Sequence, residues 1–179
     1  MIIRRERPQD IPAIRAVTAA AFATAEHSAP PVEPDGAPGE ATLVTWLRDD
    51  EGWIPQLSLV AEDEDGAVVG HVVCTRGTVA GAPALGLGPL SVDPHQQGRG
   101  VGSALVHAVL AAADALDEPL VALLGDPGYY RRFGFRPAAD IGVRSPEPAW
   151  GDLFQARTLT AHDPGLTGTF AYAAPFSRF

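Results

Sequence analysis

The run Leu90-Ser91-Val92-Asp93-Pro94-His95-Gln96-Gln97-Gly98-Arg99-Gly100-Val101-Gly102-Ser103-Ala104-Leu105 constrains the fold more than any other part of the chain. A strand ends near Val92, a polar loop follows, and three glycines at alternate positions open a long apolar helix. Glycine lets the backbone approach a ligand with no Cβ in the way. A helix N-terminus adds unpaired N–H groups and the positive end of the dipole. Together they describe an anion site suited to a pyrophosphate and built from backbone amides, with Arg99 as an extra charge at the rim. Close helix–sheet packing is the alternative use of glycine here, although one would suffice for it. A dinucleotide fingerprint is the other rival, because Gly98-x-Gly100 followed by Ser103 mimics part of it. That motif follows its strand directly, whereas here Asp93 to Gln97 intervene.

The strand before the loop contains Gly86, Gly88 and Pro89, residue types that a central strand disfavours. They predict a bulge, or a point where pairing with the next strand lapses. The backbone of Leu90, Ser91 and Val92 is then free for an amide-like ligand that binds as a surrogate strand.

Strand and helix signals alternate along the rest of the chain. Ile2 to Arg5 reads as a short strand. Asp10 is placed to cap a helix with Pro12 just inside it and Ile14, Val17, Ala21 and Phe22 at helical spacing. Ala29 to Gly39, with four prolines and two glycines, is a loop before a second helix over about Glu40 to Asp50. Leu57 to Ala61 and Ala67 to Thr75 flank an acidic turn ending in Asp65-Gly66, a hairpin signal. The helix after the glycines, about Gly100 to Leu116, is expected to bury Val101, Leu105, Ala108, Ala112 and Leu116. Leu120 to Leu124 reads as a buried central strand, and Asp126-Pro127 opens a short helix that ends at Gly134. Phe154 to Leu159 and Thr167 to Ala173, around Asp163-Pro164-Gly165, predict an antiparallel hairpin.

At 179 residues the chain has the length of one domain, and 46% hydrophobic residues supply a core, which excludes global disorder. The net charge of −9 argues against nucleic acid or an anionic membrane as the main partner. The first eight residues have no apolar h-region, and Val101 to Ala113 is too short to span a bilayer, so a cytoplasmic setting is expected. All 13 basic residues are arginines, and without lysine there is no Walker A phosphate loop. Cys74 alone makes neither an internal disulfide nor a Cys-rich zinc site and reads as core. His95 and His107 have no matching ligands, so no metal is expected. Residues 24–66 hold 11 acidic side chains against Arg48 alone. That is either a solvated face or an electronegative rim that attracts a cationic substrate.

These features together resemble the GNAT N-acetyltransferase superfamily. Gln97-Gly98-Arg99-Gly100-Val101-Gly102 matches its pyrophosphate loop Arg/Gln-x-x-Gly-x-Gly/Ala, Leu90-Ser91-Val92-Asp93-Pro94 its strand end, and Tyr130-Arg131-Arg132-Phe133-Gly134-Phe135 its later Tyr-x-x-x-Gly-Phe. Glu40-Ala41-x-Leu43-Val44, Leu57 to Glu62, and Leu124-Gly125-Asp126-Pro127-x-Tyr129-Tyr130 look like the YhbS-like branch of predicted acetyltransferases. The resemblance implies a single α/β domain over 1–179, with a core over 2–142 and a C-terminal β-hairpin extension over 143–179. Its sheet would be central, twisted, mixed and mostly antiparallel, with helices on both faces and a splayed strand pair at the cofactor site. It also implies acetyl-CoA as donor and an amine, on a small molecule or a peptide N-terminus, as direct attacker.

Carried over by motif, Leu90, Ser91 and Val92 would meet the pantetheine arm. Gln97, Gly98, Arg99, Gly100, Val101, Gly102 and Ser103 would hold the pyrophosphate. Tyr130 would protonate the leaving thiolate, a role a phenol can fill, with Tyr129 as the fallback. The base is open among Glu26, His27, Glu40, His71 and Asp126, and Glu40 is taken first. Two features depart from the family: the strand from Ala84 to Val92 has no carboxylate, and Leu123 stands where many relatives carry asparagine. Arg131, Arg132 and Arg136 either meet the 3′-phosphate of CoA or form a solvated helix end. The alternative function is a non-catalytic acyl-CoA-binding or regulatory module. The chain would be a monomer or a homodimer, its C-terminal aromatics (Trp150, Phe154, Phe170, Tyr172, Phe176) packing internally or forming a dimer surface.

Overall fold

In the computed structural model, which describes residues 1–179, the elements in chain order are β1 (Ile2–Arg5), α1 (Ile11–Phe22), α2 (Gly39–Arg48), β2 (Ser58–Glu62), β3 (Val68–Val79), β4 (Ala82–Val92), α3 (Val101–Ala115), β5 (Leu120–Leu124), α4 (Pro127–Tyr130), β6 (Arg136–Pro137), β7 (Val143–Arg144), β8 (Phe154–Thr158) and β9 (Gly168–Ala171). The sheet runs β1-β2-β3-β4-β5-β8-β6, with β9 joined to β3 and to β7. Its pairings are antiparallel except β4 with β5 and β7 with β9, the mixed, mostly antiparallel arrangement expected.

Local chemistry sets the turns. Between β2 and β3, the Asp63 carboxylate accepts from the N–H groups of Asp65 and Ala67 at 3.0 and 2.9 Å. Between β3 and β4 the turn is only Ala80-Gly81, both at positive φ (49° and 86°), as a two-residue hairpin of matching twist requires. Asp10 does precede α1, but its side chain caps no helix N–H. It is held instead by Arg4, at 2.7 and 3.0 Å, which also binds Glu62 and so ties β1 to β2 and to the start of α1.

Period-two alternation sends the sheet's side chains to two cores. Leu59, Ala61, Val72, Cys74, Leu85 and Leu87 pack against α3. On the opposite face Val60 meets Ile14 of α1 and Val44 of α2, and Val73 meets Leu43 and Leu47. Helices therefore cover both faces. Within α3 the buried stripe is Val101, Leu105, Val106, Val109, Leu110 and Ala113. Ala108 and Ala112 lie at its margin, and Leu116 is 42% exposed. The expected i, i+4 row drifts off the buried face, because 3.6 residues per turn rotates it by a fraction of a turn at each step.

The predicted C-terminal hairpin does not form. β8 pairs with β5 from Leu124↔Phe154 to Leu120↔Thr158, whereas β9 pairs with β3 at Thr78↔Ala171 and Val79↔Phe170. β3 is 12 residues long and β2 only 5, so β3 has an edge that β2 cannot cover; β5 likewise offers its edge away from β4. Each C-terminal strand satisfies one of these edges instead of pairing with the other. Phe154 and Phe170 still meet, at 5.6 Å between centroids, in the core below.

Candidate active site

The site begins with an irregularity in β4. Val72 faces Leu90 and Cys74 faces Leu87, so Gly88 and Pro89 together oppose Val73 in a β-bulge. The parallel pairing with β5 is confined to Leu85↔Val121 and Gly86↔Ala122. Beyond Gly86 the two strands part, as the glycines and proline predict.

Past the bulge, β3 holds one edge of β4. Asp93 N–H donates to the Val69 carbonyl at 2.9 Å. In the antiparallel alternation this makes Ser91 with His71 the next hydrogen-bonded pair. The amides and carbonyls of Leu90 and Val92 therefore point to the edge β5 has left. Ser91 is turned away: its backbone faces β3, and its buried hydroxyl lies 3.1 Å from Thr18 Oγ1 on α1. The Val92 carbonyl is met by Gln97 Nε2 at 3.2 Å, a contact that the loop motif alone does not reveal.

The glycine loop follows. Gly98 and Gly100 adopt left-handed backbone, φ 73° and 87°, and a Cβ on either would enter open space. At Gly102 the reason for glycine differs, since a Cβ there would stand 2.8 Å from the Tyr129 hydroxyl. The N–H groups from Gly98 to Ser103 have no backbone acceptor, and the first bond of the helix is Ala104 N–H to Gly100 O at 2.9 Å. All of these residues but Arg99 border a cleft of about 620 Å³ whose walls include Leu90, Val92, Gln97, Ser103, Tyr129 and Arg132, with Phe22 from α1. No carboxylate lines the cleft, and Arg99 is exposed outside its wall.

α4 brings in the tyrosines. Asp126 caps it by accepting from Gly128 N–H at 2.8 Å, and Arg132 stacks on Tyr129 at 4.8 Å. Tyr129 walls the cleft, while Tyr130 lies behind it, the two rings 4.9 Å apart and edge to face. Burial pushes the Tyr130 phenol above its ordinary value, and Tyr129 and Cys74 raise it further. Tyr172, next to β9, has its phenol raised by burial and then by Tyr130. The Tyr172 ring lies on Gly86, where a Cβ would come within 2.6 Å of it, at the point where β4 and β5 part. Tyr172 was not legible as a site residue, since only a glycine facing it on a distant strand hints at its place.

The base candidates are dispersed. Both Glu40 oxygens are engaged, accepting from Ala29 N–H at 2.7 Å and from the Ser28 hydroxyl at 3.0 Å. Glu40 thus ties the proline-rich loop to the start of α2. His71 is fully buried beneath α1 and α2. Asp126 is a cap, and Glu26 and His27 lie exposed on the loop after α1. Leu123, the departure from asparagine, is 1% exposed and packs in the core under α3.

Residues 55–137 match the family described as an acetyltransferase (GNAT) domain. The chain is 37% identical over 183 residues, spanning all of both proteins, to the uncharacterized N-acetyltransferase YhbS of Escherichia coli K12. The crystal structure of Escherichia coli YhbS in complex with CoA superposes with a TM-score of 0.84 at 35% identity, over 99% of this chain and 92% of that one. A GNAT family acetyltransferase from Brucella melitensis in complex with acetyl-CoA gives 0.76 at 36% identity, over 98% and 97%. Fold, glycine loop and full-length identity thus agree, and the chain belongs to the GNAT family of N-acetyltransferases.

Proposed function

We propose that the chain transfers an acetyl group from acetyl-CoA to an amine by direct attack in a ternary complex. The observation that carries this reading is the pairing of a parted strand edge with the free amides of Gly98, Gly100, Val101, Gly102 and Ser103 in one cleft. Support comes from two relatives above 30% identity, whose structures hold CoA and acetyl-CoA. The free backbone groups of Leu90 and Val92 accept the amide-bearing arm as a strand substitute. The amides of Gly98 to Ser103, at the positive end of α3, hold the pyrophosphate. Gln97 steadies the Val92 carbonyl, and Ser91 contributes by fixing β4 to α1.

Tyr130 is the acid. Its raised phenol stays protonated at neutral pH, so it donates and does not abstract. The same desolvation makes a departing thiolate more basic, which keeps the transfer matched. The N–H of Leu90 or Val92 is placed to polarise the thioester carbonyl as the amine adds. The acidic residues between 24 and 66 favour a cationic acceptor.

Calorimetric titration with acetyl-CoA should give micromolar binding, about −8 kcal/mol, with no heat from NAD. Tyr130→Phe should retain that affinity and lose turnover about 10²–10⁴-fold. Full turnover in a folded Tyr130→Phe protein would remove the acid role, and absence of acetyl-CoA binding would remove the donor site.

A further inference from the structure

Tyr130 and Tyr172 stand on opposite faces of the sheet where β4 and β5 part, each seated on a glycine. Tyr130 packs with the core under α3, and a Cβ on Gly125, just after β5, would come within 2.5 Å of its ring. Tyr172 packs with the other core, over Gly86, the last residue of β4 that pairs with β5. The Tyr172 hydroxyl has no hydrogen-bond partner in the chain and is not among its sealed polar atoms.

Tyr172 is one part of a continuous apolar wall. Phe176 lies 4.8 Å from it between centroids and reaches the bulge, 3.9 Å from the Cβ position of Gly88. Trp150 meets the Tyr172 ring edge to face at 6.4 Å. Leu124 completes the wall from β5. It pairs with Phe154, so its side chain shares the face of Phe154 and Tyr172, and it is 44% exposed at the mouth of the gap. None of these wall side chains carries a charge.

The direction of attack follows from the strand-like donor. An arm that pairs with the free edge of β4 holds its carbonyls in the plane of the sheet, so the thioester turns its two faces to the two faces of the sheet. Tyr130 and the core under α3 close one of them. A nucleophile adds through the face of a carbonyl, and the face left is the one that Tyr172 borders.

Resting on the donor reading above, we propose that the acceptor is a primary amine with an apolar body, bound on this wall with its nitrogen against the Tyr172 hydroxyl. The phenol oxygen accepts an N–H of the neutral amine, which leaves the nitrogen lone pair free for the carbonyl carbon. Burial keeps Tyr172 protonated, so it orients the amine and takes no proton from it. The carbon body covers Leu124, Trp150 and Phe176. A second ammonium group would be desolvated there with no partner, which excludes a polyamine. An arylalkylamine and a peptide N-terminus with an aromatic first side chain share the chemistry that fits.

The test is steady-state kinetics of the full chain with acetyl-CoA and phenethylamine, a tripeptide amide beginning with phenylalanine, ethanolamine or spermidine, each rate expressed per neutral amine. One or both aromatic acceptors should exceed ethanolamine and spermidine in kcat/KM about tenfold or more. Which of the two leads separates a small-molecule from a peptide acceptor. Tyr172→Phe should raise the KM of the preferred amine several-fold and leave acetyl-CoA affinity unchanged by calorimetry. Leu124→Glu, at an exposed position that the fold tolerates, should erase the apolar preference and improve spermidine, whereas Leu124→Met should keep the preference. Equal use of all the acceptors, a preference for ethanolamine or spermidine, or an apolar preference that survives both Tyr172→Phe and Leu124→Glu overturns the inference. So does acetyl-CoA binding with none of the amines acetylated, and in each of these cases the donor site stands. Failure of the folded chain to bind acetyl-CoA removes the donor reading and this one with it.

Discussion

His71 shows how one buried side chain can be legible in place and illegible in role. Its position in an alternating strand marks it as either a core histidine or a base, and its contacts decide. Ser58 donates its only hydroxyl proton to Glu6, so it accepts from His71 Nε2 at 2.9 Å, which places the imidazole proton on Nε2. Nδ1 is then a buried acceptor with no partner. Protonating it would add a buried N–H with no acceptor, and burial already pushes the His71 pKa below its ordinary 6.5. Burial opposes ionisation of Glu6 as well, but hydrogen bonds from His71, Arg48 and Ser58 outweigh it and bring the carboxyl down to about 2. Both folded values are depressed, so the unfolded chain takes up the protons first and stability falls on acidification. The His71 contribution is complete above pH 6.5 and is lost below it at about 1.4 kcal/mol per pH unit. The Glu6 contribution follows between pH 4.5 and about 2. Denaturant titrations from pH 8 to 5 should show the first slope in the native chain and none in His71→Gln. A flat native profile, or a slope that survives the substitution, would remove this account of the network.

At the scale of elements, β4 and the start of α3 were legible because each departs from what its secondary structure prefers. Glycine and proline inside a strand, and three glycines at a helix mouth, can be read with no knowledge of neighbours, and both proved to mark the cleft. The C-terminal strands were illegible for the opposite reason. Phe154 to Thr158 and Gly168 to Ala171 look like partners, but which edge each joins depends on the lengths of β2, β3 and β5. The three glycines also differ in a way that spacing does not show. Gly98 and Gly100 are required by backbone conformation, and an alanine there costs about 1–2 kcal/mol for the left-handed residue. Gly102 is required by Tyr129. Gly102→Val should push the Tyr129 ring from the cleft wall, costing about 1–3 kcal/mol of stability by overpacking and weakening acetyl-CoA about tenfold or more by calorimetry. Since the clash is with the ring's hydroxyl, Gly102→Val combined with Tyr129→Ala should recover much of the lost stability in a thermal melt. If the double variant is as unstable as the single one, Tyr129 is not what the glycine serves.

For the molecule as a whole, the telling feature is where the carboxylates are. The chain has 22 acidic residues, and the buried ones are committed to structure. Glu6 is held by Arg48, Asp10 by Arg4, and Glu118 by Arg76 at 2.6 Å. Near the surface, Glu62 binds Arg4 and Asp35 binds Arg15, while Asp93, Asp126 and Glu40 accept backbone N–H groups. The acidic stretch visible in residues 24–66 is thus partly neutralised in the fold. What the sequence could not show is that no carboxylate reaches the cleft, because that follows from tertiary ion pairs rather than from local pattern. An alkylammonium must still lose a proton before it attacks. With no carboxylate base in the cleft to take that proton, it passes to solvent, and only the fraction of acceptor already neutral reacts. The value of kcat/KM should therefore rise about tenfold per pH unit below the pKa of the acceptor amine and level off above it. Comparing two acceptors of different basicity should shift the profile by the difference between their pKa values. A profile that stays at one pH for every amine would instead report a group on the protein, and would return Glu40, freed from Ser28 and Ala29, to the role of base.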